Sequence, residues 1–223
     1  MATSAYHHAQ SSDRVPDASP GGLVTKNKTV YASEQDAASR AEWREHAEHL
    51  DPSTFVFIDE ASTTQNMTRR YARAPANERA VGYVPRNYGQ RTTLVAALTP
   101  RQIVAPVLLE GASDNAAFEA YVEQCLCPTL RAGQVVIMDN LSSHHQRMIR
   151  TLIEARHCTV LFLPTYSPDF NPIEHAFSKV KEWLRAAAAR TQEALDQAIV
   201  EALAQITPQD IRGWFLHCGY ALP

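Results

Sequence analysis

The sequence predicts an α/β fold, a mixed five-stranded sheet with helices on both faces, and three observations carry that expectation. Thr54-Phe-Val-Phe-Ile-Asp59 and Gln134-Val-Val-Ile-Met-Asp139 are short β-branched and aromatic runs, the form that buried strands take. Strand-like runs at 91–98 and 103–109 are joined by a short connection, which suggests an antiparallel meander. After Ser113 the pattern alternates between helix and strand and then becomes helical only. The resulting order is three antiparallel strands, helix, strand, helix, strand and a group of helices.

Each element has its local reason. Residues 1–24 mix Ser, Asp, His, Pro and Gly with few large apolar side chains, so a disordered tail is expected, with His7 and His8 solvated in it. Residues 25–52 read as a linker with one helix. Ser33 caps that helix, Asp36 stands third in a capping-box-like arrangement, and the helix runs through Trp43 to Leu50 before Asp51-Pro52 stops it. Residues 53–223 then form a single domain. Its first strand is 54–59. The arginine-rich segment that follows holds Pro75 and Pro85 and is partly loop, with a further strand-like run at 80–84. Ser113-Asp-Asn opens a helix whose Phe118, Tyr121, Val122 and Leu126 recur at helical spacing. A strand at 134–139, a helix at 146–155 and a strand at 159–163 come next. Helices at 172–189, 192–205 and 208–217 close the chain; Thr191 and Thr207 are the N-caps of the last two, with Pro208 at a first helical position.

Composition narrows the function classes. Hydrophobic residues make up 45% of the 223, ample for a core. No run of eighteen apolar residues and no basic-then-apolar leader is present, so neither a membrane span nor a signal peptide is expected. Cys125 and Cys127 are one residue apart, not the two typical of zinc knuckles; with Cys158 and Cys218 they read as reduced, mostly buried thiols of a cytoplasmic protein. The net charge of −3 is not that of a nucleic-acid-binding protein, but its distribution is uneven. Between Asn66 and Arg101 there are seven arginines and one acid, Glu78. A second basic group, Lys179, Lys181, Arg185 and Arg190, follows Glu174. Such groups supply sequence-independent contacts to phosphates. The candidates are Arg69, Arg70, Arg73, Arg86, Arg91, Lys179, Lys181 and Arg185, against the plainer alternative of a solvated surface.

Three acids stand out. Asp59 and Asp139 each end a strand, and ligands collect at strand ends in α/β sheets. Glu174 follows a connection stiffened by Pro164, Pro168 and Pro172, and falls in the first turn of a helix that Pro172 opens. Three converging carboxylates repel one another and raise their own pKa values, which a divalent cation relieves. Hard oxygen ligands suit Mg²⁺ or Mn²⁺. Glu60 faces the opposite side of the strand from Asp59 if the strand continues, and otherwise supports the site. Asn140, His144 and Asn171 lie close to the acids in sequence. His144 either contacts phosphate, orients a ligand, or caps the following helix; Asn171 holds turn geometry. Asp169, in Ser167-Pro-Asp, reads as a turn residue with an Asx-type hydrogen bond. Trp183 and Trp214 occupy apolar helix positions and are expected in the core.

The phrases Phe57-Ile-Asp-Glu60, Met138-Asp-Asn-Leu-Ser-Ser-His144 and Leu163-Pro-Thr-Tyr-Ser-Pro-Asp-Phe-Asn-Pro-Ile-Glu174 resemble the Asp-Asp-Glu motifs of the mariner superfamily of transposases, most of all its bacterial insertion-sequence branch. Thirty-four residues separate Asp139 from Glu174. The similarity covers residues 26–220. The family more often has a second proline where Thr165 stands, and Thr-Gly in place of Ala61-Ser62; neither departure touches a carboxylate. The resemblance implies an RNase H-like fold and a pair of Mg²⁺ or Mn²⁺ ions. Asp59 would bridge both ions while Asp139 and Glu174 each complete one site. It implies cleavage of an element's ends and transfer of the freed 3′-hydroxyls to target DNA, often at TA, by at least a homodimer, in the cytoplasm in association with the nucleoid. Helix-turn-helix modules usually precede such a domain. The residues ahead of the first strand do not fit them, so either a helix-turn-helix portion is encoded separately or the element has decayed. Two other classes stay open: another RNase H-like nuclease, and a catalytically silent remnant that binds DNA or regulates.

Overall fold

The computed structural model describes residue 33, residues 35–139 and residues 143–223, with side chains inside the helix that starts at Ser143 described from Arg147 onward. The tail expected at 1–24, the start of the linker and Asn140 lie outside the described residues.

Two strand-rich halves share one sheet. β1 (Phe55–Thr63), β2 (Thr92–Leu98) and β3 (Ile103–Glu110) pair antiparallel, while β4 (Val135–Met138) and β5 (Thr159–Phe162) continue the sheet in parallel from β1. The spatial order is β3-β2-β1-β4-β5. The apolar runs that predicted strands are the central ones, buried on both faces: Phe55 to Ile58, Leu94 to Leu98, and Val136 to Met138.

Helices cover both faces. Phe55, Phe57, Val135 and Ile137 face α4 (Ile173–Ala187), α5 (Gln192–Ala204) and α6 (Pro208–His217), with Trp43 of α1 (Ala37–Glu48) in the same core. Val56, Ile58, Val136 and Met138, one residue out of phase as strand geometry requires, face α2 (Asn115–Tyr121), the widened π turn after it (Val122–Leu126), and α3 (Ser143–Glu154). The helix α4 buries Ile173, Ala176, Phe177, Val180 and Leu184, an apolar stripe at helical spacing. All four cysteines are free, and three are buried. Among the described residues no helix is long and apolar enough to cross a membrane.

Several local expectations change. Asp36, not Ser33, caps α1, accepting from the Ala38 and Ser39 amides. β1 does not end at Asp59; it runs on to Thr63 because β2 pairs with it throughout. The helix expected from 146 begins at Ser143. The run at 80–84 is not a strand: residues 68–91 are exposed and without regular structure, since no neighbouring strand offers it a partner. The neck of that loop is closed by the Gln65 amide on the Tyr88 carbonyl, and by the Arg190 guanidinium on the carbonyls of Gln65 and Met67. Thr191 and Thr207 cap α5 and α6 as expected, the latter in a full capping box with Asp210.

Candidate active site

The site forms where the sheet divides. β1 and β4 pair in parallel only as far as Phe57 opposite Ile137. Two residues further along each chain are Asp59 and Asp139; Asp59 is in the same phase as Phe57 and meets the Asn171 side chain just ahead of α4. The neighbouring strand β1 continues with β2, so Asp59 is held in a paired strand, while Asp139 is the first residue past β4 and is exposed. Glu174 stands in the first turn of α4, also exposed at its tip, with its amide donating to the Asn171 carbonyl at 3.2 Å.

The half-buried Asp59 is the electrostatic centre. Burial, and next the charge of Asp139, push its carboxyl up to about 8; the Glu60 amide opposes that shift, and the charge of Glu174 and a side-chain hydrogen bond to it add to it. Burial also raises Asp139. Two donors fix the other positions of Asp59: the Glu60 amide to Oδ1 at 2.7 Å, and Asn171 Nδ2 to Oδ2 at 3.0 Å.

Asn171 stands among the candidate supporting residues, with turn-holding as its plainer role. It holds the turn through its amide on the Pro168 carbonyl at 3.0 Å, but its side chain, 1% exposed, also reaches Asp59. Its Oδ1 is buried and has no hydrogen-bond partner among the described residues. Glu60 lines a cleft of about 260 Å³ at the sheet end together with Ile58, Asp59, Asp114, Glu119 and Asp139, so α2 as well as α4 borders the two aspartates. Asp114 is the N-cap of α2, and no spacing in the sequence linked α2 to the site. His144 lies outside the described side chains.

The donor set fits a divalent cation. The ligands are hard oxygens, and burial and mutual repulsion keep Asp59 protonated in its absence. Among the described residues, however, no three His, Cys, Asp or Glu side chains stand together in a ready cage. Binding therefore requires Asp59 to release its proton and the exposed Asp139 and Glu174 to turn inward.

The basic candidates separate into two kinds. Arg69, Arg70, Arg73, Arg86 and Arg91 are all exposed in the 64–91 loop, beside the exposed rings of Tyr71, Tyr83 and Tyr88. On α4, Lys181 and Arg185 lie seven and eleven residues after Glu174, along the same side of the helix. Burial, and then the charge of Arg70, lower the Arg185 pKa, so loop and helix bring positive charge together. Lys179 instead faces α6, in an ion pair with Asp210 at 2.6 Å and on the Gln205 carbonyl at 2.9 Å; it ties two helices rather than facing solvent. Trp183 is not in the core: Leu184 takes the inward position and leaves the indole 39% exposed, whereas Trp214 packs against the core. Asp169 is no simple turn residue, since Arg40 grips it with both amino groups at 2.9 and 2.6 Å.

Comparison with known families decides the assignment. A family described as DDE superfamily endonuclease matches residues 54–196, which span Asp59, Asp139 and Glu174. The chain belongs to that family. It is 29% identical over 94 residues to the transposable element Tcb2 transposase of Caenorhabditis briggsae, a match covering 40% of this chain and 34% of that protein. Among solved structures it is similar to the Mos1 mariner paired end complex with Mn, with a TM-score of 0.66 at 18% identity, over 89% of this chain and 65% of that one. The catalytic domain of Mos1 mariner transposase gives a TM-score of 0.60 at 17% identity, over 85% of this chain and 93% of that domain. The fold is RNase H-like, shared with the Mos1 catalytic domain. The chain spans about a third of the nematode relative and less than two thirds of the Mos1 chain in its complex.

Proposed function

We propose that this chain is the catalytic domain of a transposase that cuts DNA at an element's ends and joins the freed 3′-hydroxyls to target DNA. One observation carries the reading: Asp59 on β1, Asp139 just past β4 and Glu174 in the first turn of α4 come together at the end of the sheet, where burial first, and then the charges of Asp139 and Glu174, push the Asp59 carboxyl well above the usual carboxylate range. A structural carboxylate is ordinarily stabilised in its charged form; this one is held in want of a cation. The match to a DDE endonuclease family and the mariner-type neighbours support the same reading, and the motif phrases favour the bacterial insertion-sequence branch.

Asp59, Asp139 and Glu174 would hold Mg²⁺ or Mn²⁺, with two ions as the expected number. Such a cation polarises a phosphodiester oxygen and lowers the pKa of a bound water or 3′-hydroxyl. Asn171 and the Glu60 amide orient Asp59, so that its carboxylate turns little when it loses the proton. Lys181 and Arg185 extend a positive track away from Glu174, and the loop arginines add to it. These groups address phosphates rather than bases, so the chain by itself binds DNA with little sequence preference. Reading of the inverted repeats belongs to a helix-turn-helix portion. A homodimer, a TA target and association with the nucleoid in the cytoplasm complete the proposal.

The test is nicking of element-end DNA with Mg²⁺, with Mn²⁺ and with chelator, by the wild type and by Asp139→Asn. Asp139 is exposed, so its substitution leaves the fold intact. Cation-dependent nicking that the variant loses, with an unchanged melting curve, supports the proposal. Equal cleavage by both proteins, or cleavage in chelator, contradicts it.

A further inference from the structure

The arm that delivers Glu174 has little backbone bonding of its own. Pro164, Pro168 and Pro172 lack amide donors, and the amides of Phe170 and Asn171 bond only locally, to Ser167 and Pro168. Tyr166 sits at φ 55°, a left-handed conformation uncommon for a ring-bearing residue and one that its surroundings must hold. Besides the burial of Phe170 in the core and the Tyr220 hydroxyl on its carbonyl, side chains from helix α1 and the chain just ahead of it fix the arm to the molecule. Arg40 Nη1 donates to Ser167 Oγ at 2.8 Å and to Asp169 Oδ1 at 2.9 Å, and Nη2 to Asp169 Oδ2 at 2.6 Å. The same guanidinium lies 4.3 Å from the centre of the Phe170 ring, with Arg44 at 5.0 Å. Trp43 donates to the Tyr220 hydroxyl at 3.2 Å, and that hydroxyl donates to the Phe170 carbonyl at 2.7 Å. Gln35 donates to the Tyr166 carbonyl at 2.6 Å.

Arg40 is 8% exposed and Ser167 4%, so this is a planar bidentate contact largely shielded from water on the arginine side. It is not a screened surface pair of little consequence. From Asp169 it is two residues to Asn171, which holds Asp59, and five to Glu174, across the rigid Pro172. The outer side of one short arm is bolted to α1, and its inner side carries the groups that meet at the site. α1 lies ahead of β1 in the chain.

We infer that Arg40 is a positioning residue for the active site: through its latch on Ser167 and Asp169, helix α1 sets where Asn171 and Glu174 stand relative to Asp59. The inference rests on the reading of Glu174 as a cation ligand.

The test compares wild type with Arg40→Ala, Arg40→Lys and Asp169→Asn in three measurements. These are hydrogen exchange of the 163–175 peptide, Mn²⁺ affinity by electron paramagnetic resonance, and the nicking rate against DNA concentration. Asp169 is 53% exposed and can hydrate, so Arg40→Ala is expected to fold. Expected are faster exchange on the arm with β1 and β4 unchanged, and a roughly 10- to 100-fold loss of Mn²⁺ affinity and of kcat. The KM for DNA should stay within about twofold, since the altered contacts are remote from the phosphate-facing side chains. Arg40→Lys keeps the charge but not the fork, and recovers part of the loss. A folded Arg40→Ala with wild-type arm exchange and wild-type Mn²⁺ affinity overturns the inference. If the wild type neither binds Mn²⁺ nor nicks DNA, the reading of the triad fails instead, and the exchange data alone decide: faster arm exchange in Arg40→Ala supports the latch, and unaltered exchange overturns it.

Discussion

Asp59→Asn should make the metal-free protein more stable, and more so the higher the pH. The Asp59 carboxyl is raised from 3.8 to about 8, first by burial and then by Asp139. The folded state therefore binds a proton that the unfolded state has released, throughout that interval. Stability falls as pH rises through it and levels off above about pH 8. The full shift corresponds to about 6 kcal/mol. Partial exposure, screening and coupling to Asp139 reduce this to about 1–3 kcal/mol. Asparagine keeps the Oδ1 acceptor for the Glu60 amide. Its new Nδ2 would oppose Asn171 Nδ2, but a flip of the Asn171 amide presents the partnerless Oδ1 and restores a hydrogen bond. The assay is thermal unfolding in chelator at about pH 5 and about pH 8.5. The variant should melt ~3–10 °C above the wild type at the higher pH and differ much less at the lower one. Adding Mg²⁺ should raise the wild type but not the variant. A variant that loses stability equally at both pH values would refute the reasoning, because Asp59 would then be an ordinary satisfied carboxylate.

Other substitutions separate the roles assigned to neighbouring residues. Asn171→Ala removes the side chain that orients Asp59 and should weaken Mn²⁺ binding about 10- to 100-fold, read by calorimetry; unchanged affinity would reduce Asn171 to a turn former. Lys181→Ala and Arg185→Ala should each lower the slope of log affinity against log salt for DNA by about 1, measured by fluorescence anisotropy. Lys179→Ala should leave that slope alone and instead lower stability by about 1 kcal/mol, because Lys179 is bound to Asp210. A lower salt slope for Lys179→Ala would show that the pair opens to bind phosphate.

The strands were readable because buried central strands write themselves as continuous apolar runs, and both aspartates follow such runs. Glu174 was readable through the prolines that stiffen its approach. What escaped had long-range causes. Arg40 and Asp169 are 129 residues apart, so Asp169 looked like any acid in a Ser-Pro-Asp turn. Lys179 looked like part of a basic group because its partner Asp210 lies on another helix. Trp183 is one residue from the Leu184 that fills the core, and apolar character alone does not say which of the two turns inward. The 80–84 run has strand composition, but composition cannot supply a pairing partner. The reach of Asn171 to Asp59 depends on how the arm packs, which no local pattern records.

Anomalous diffraction from crystals soaked in Mn²⁺ above about pH 8, where Asp59 is ionised, tests the central claim most directly. The account predicts manganese density bounded by Asp59, Asp139 and Glu174, lost in Asp59→Asn. No density there, or density elsewhere that Asp59→Asn leaves unchanged, would contradict it.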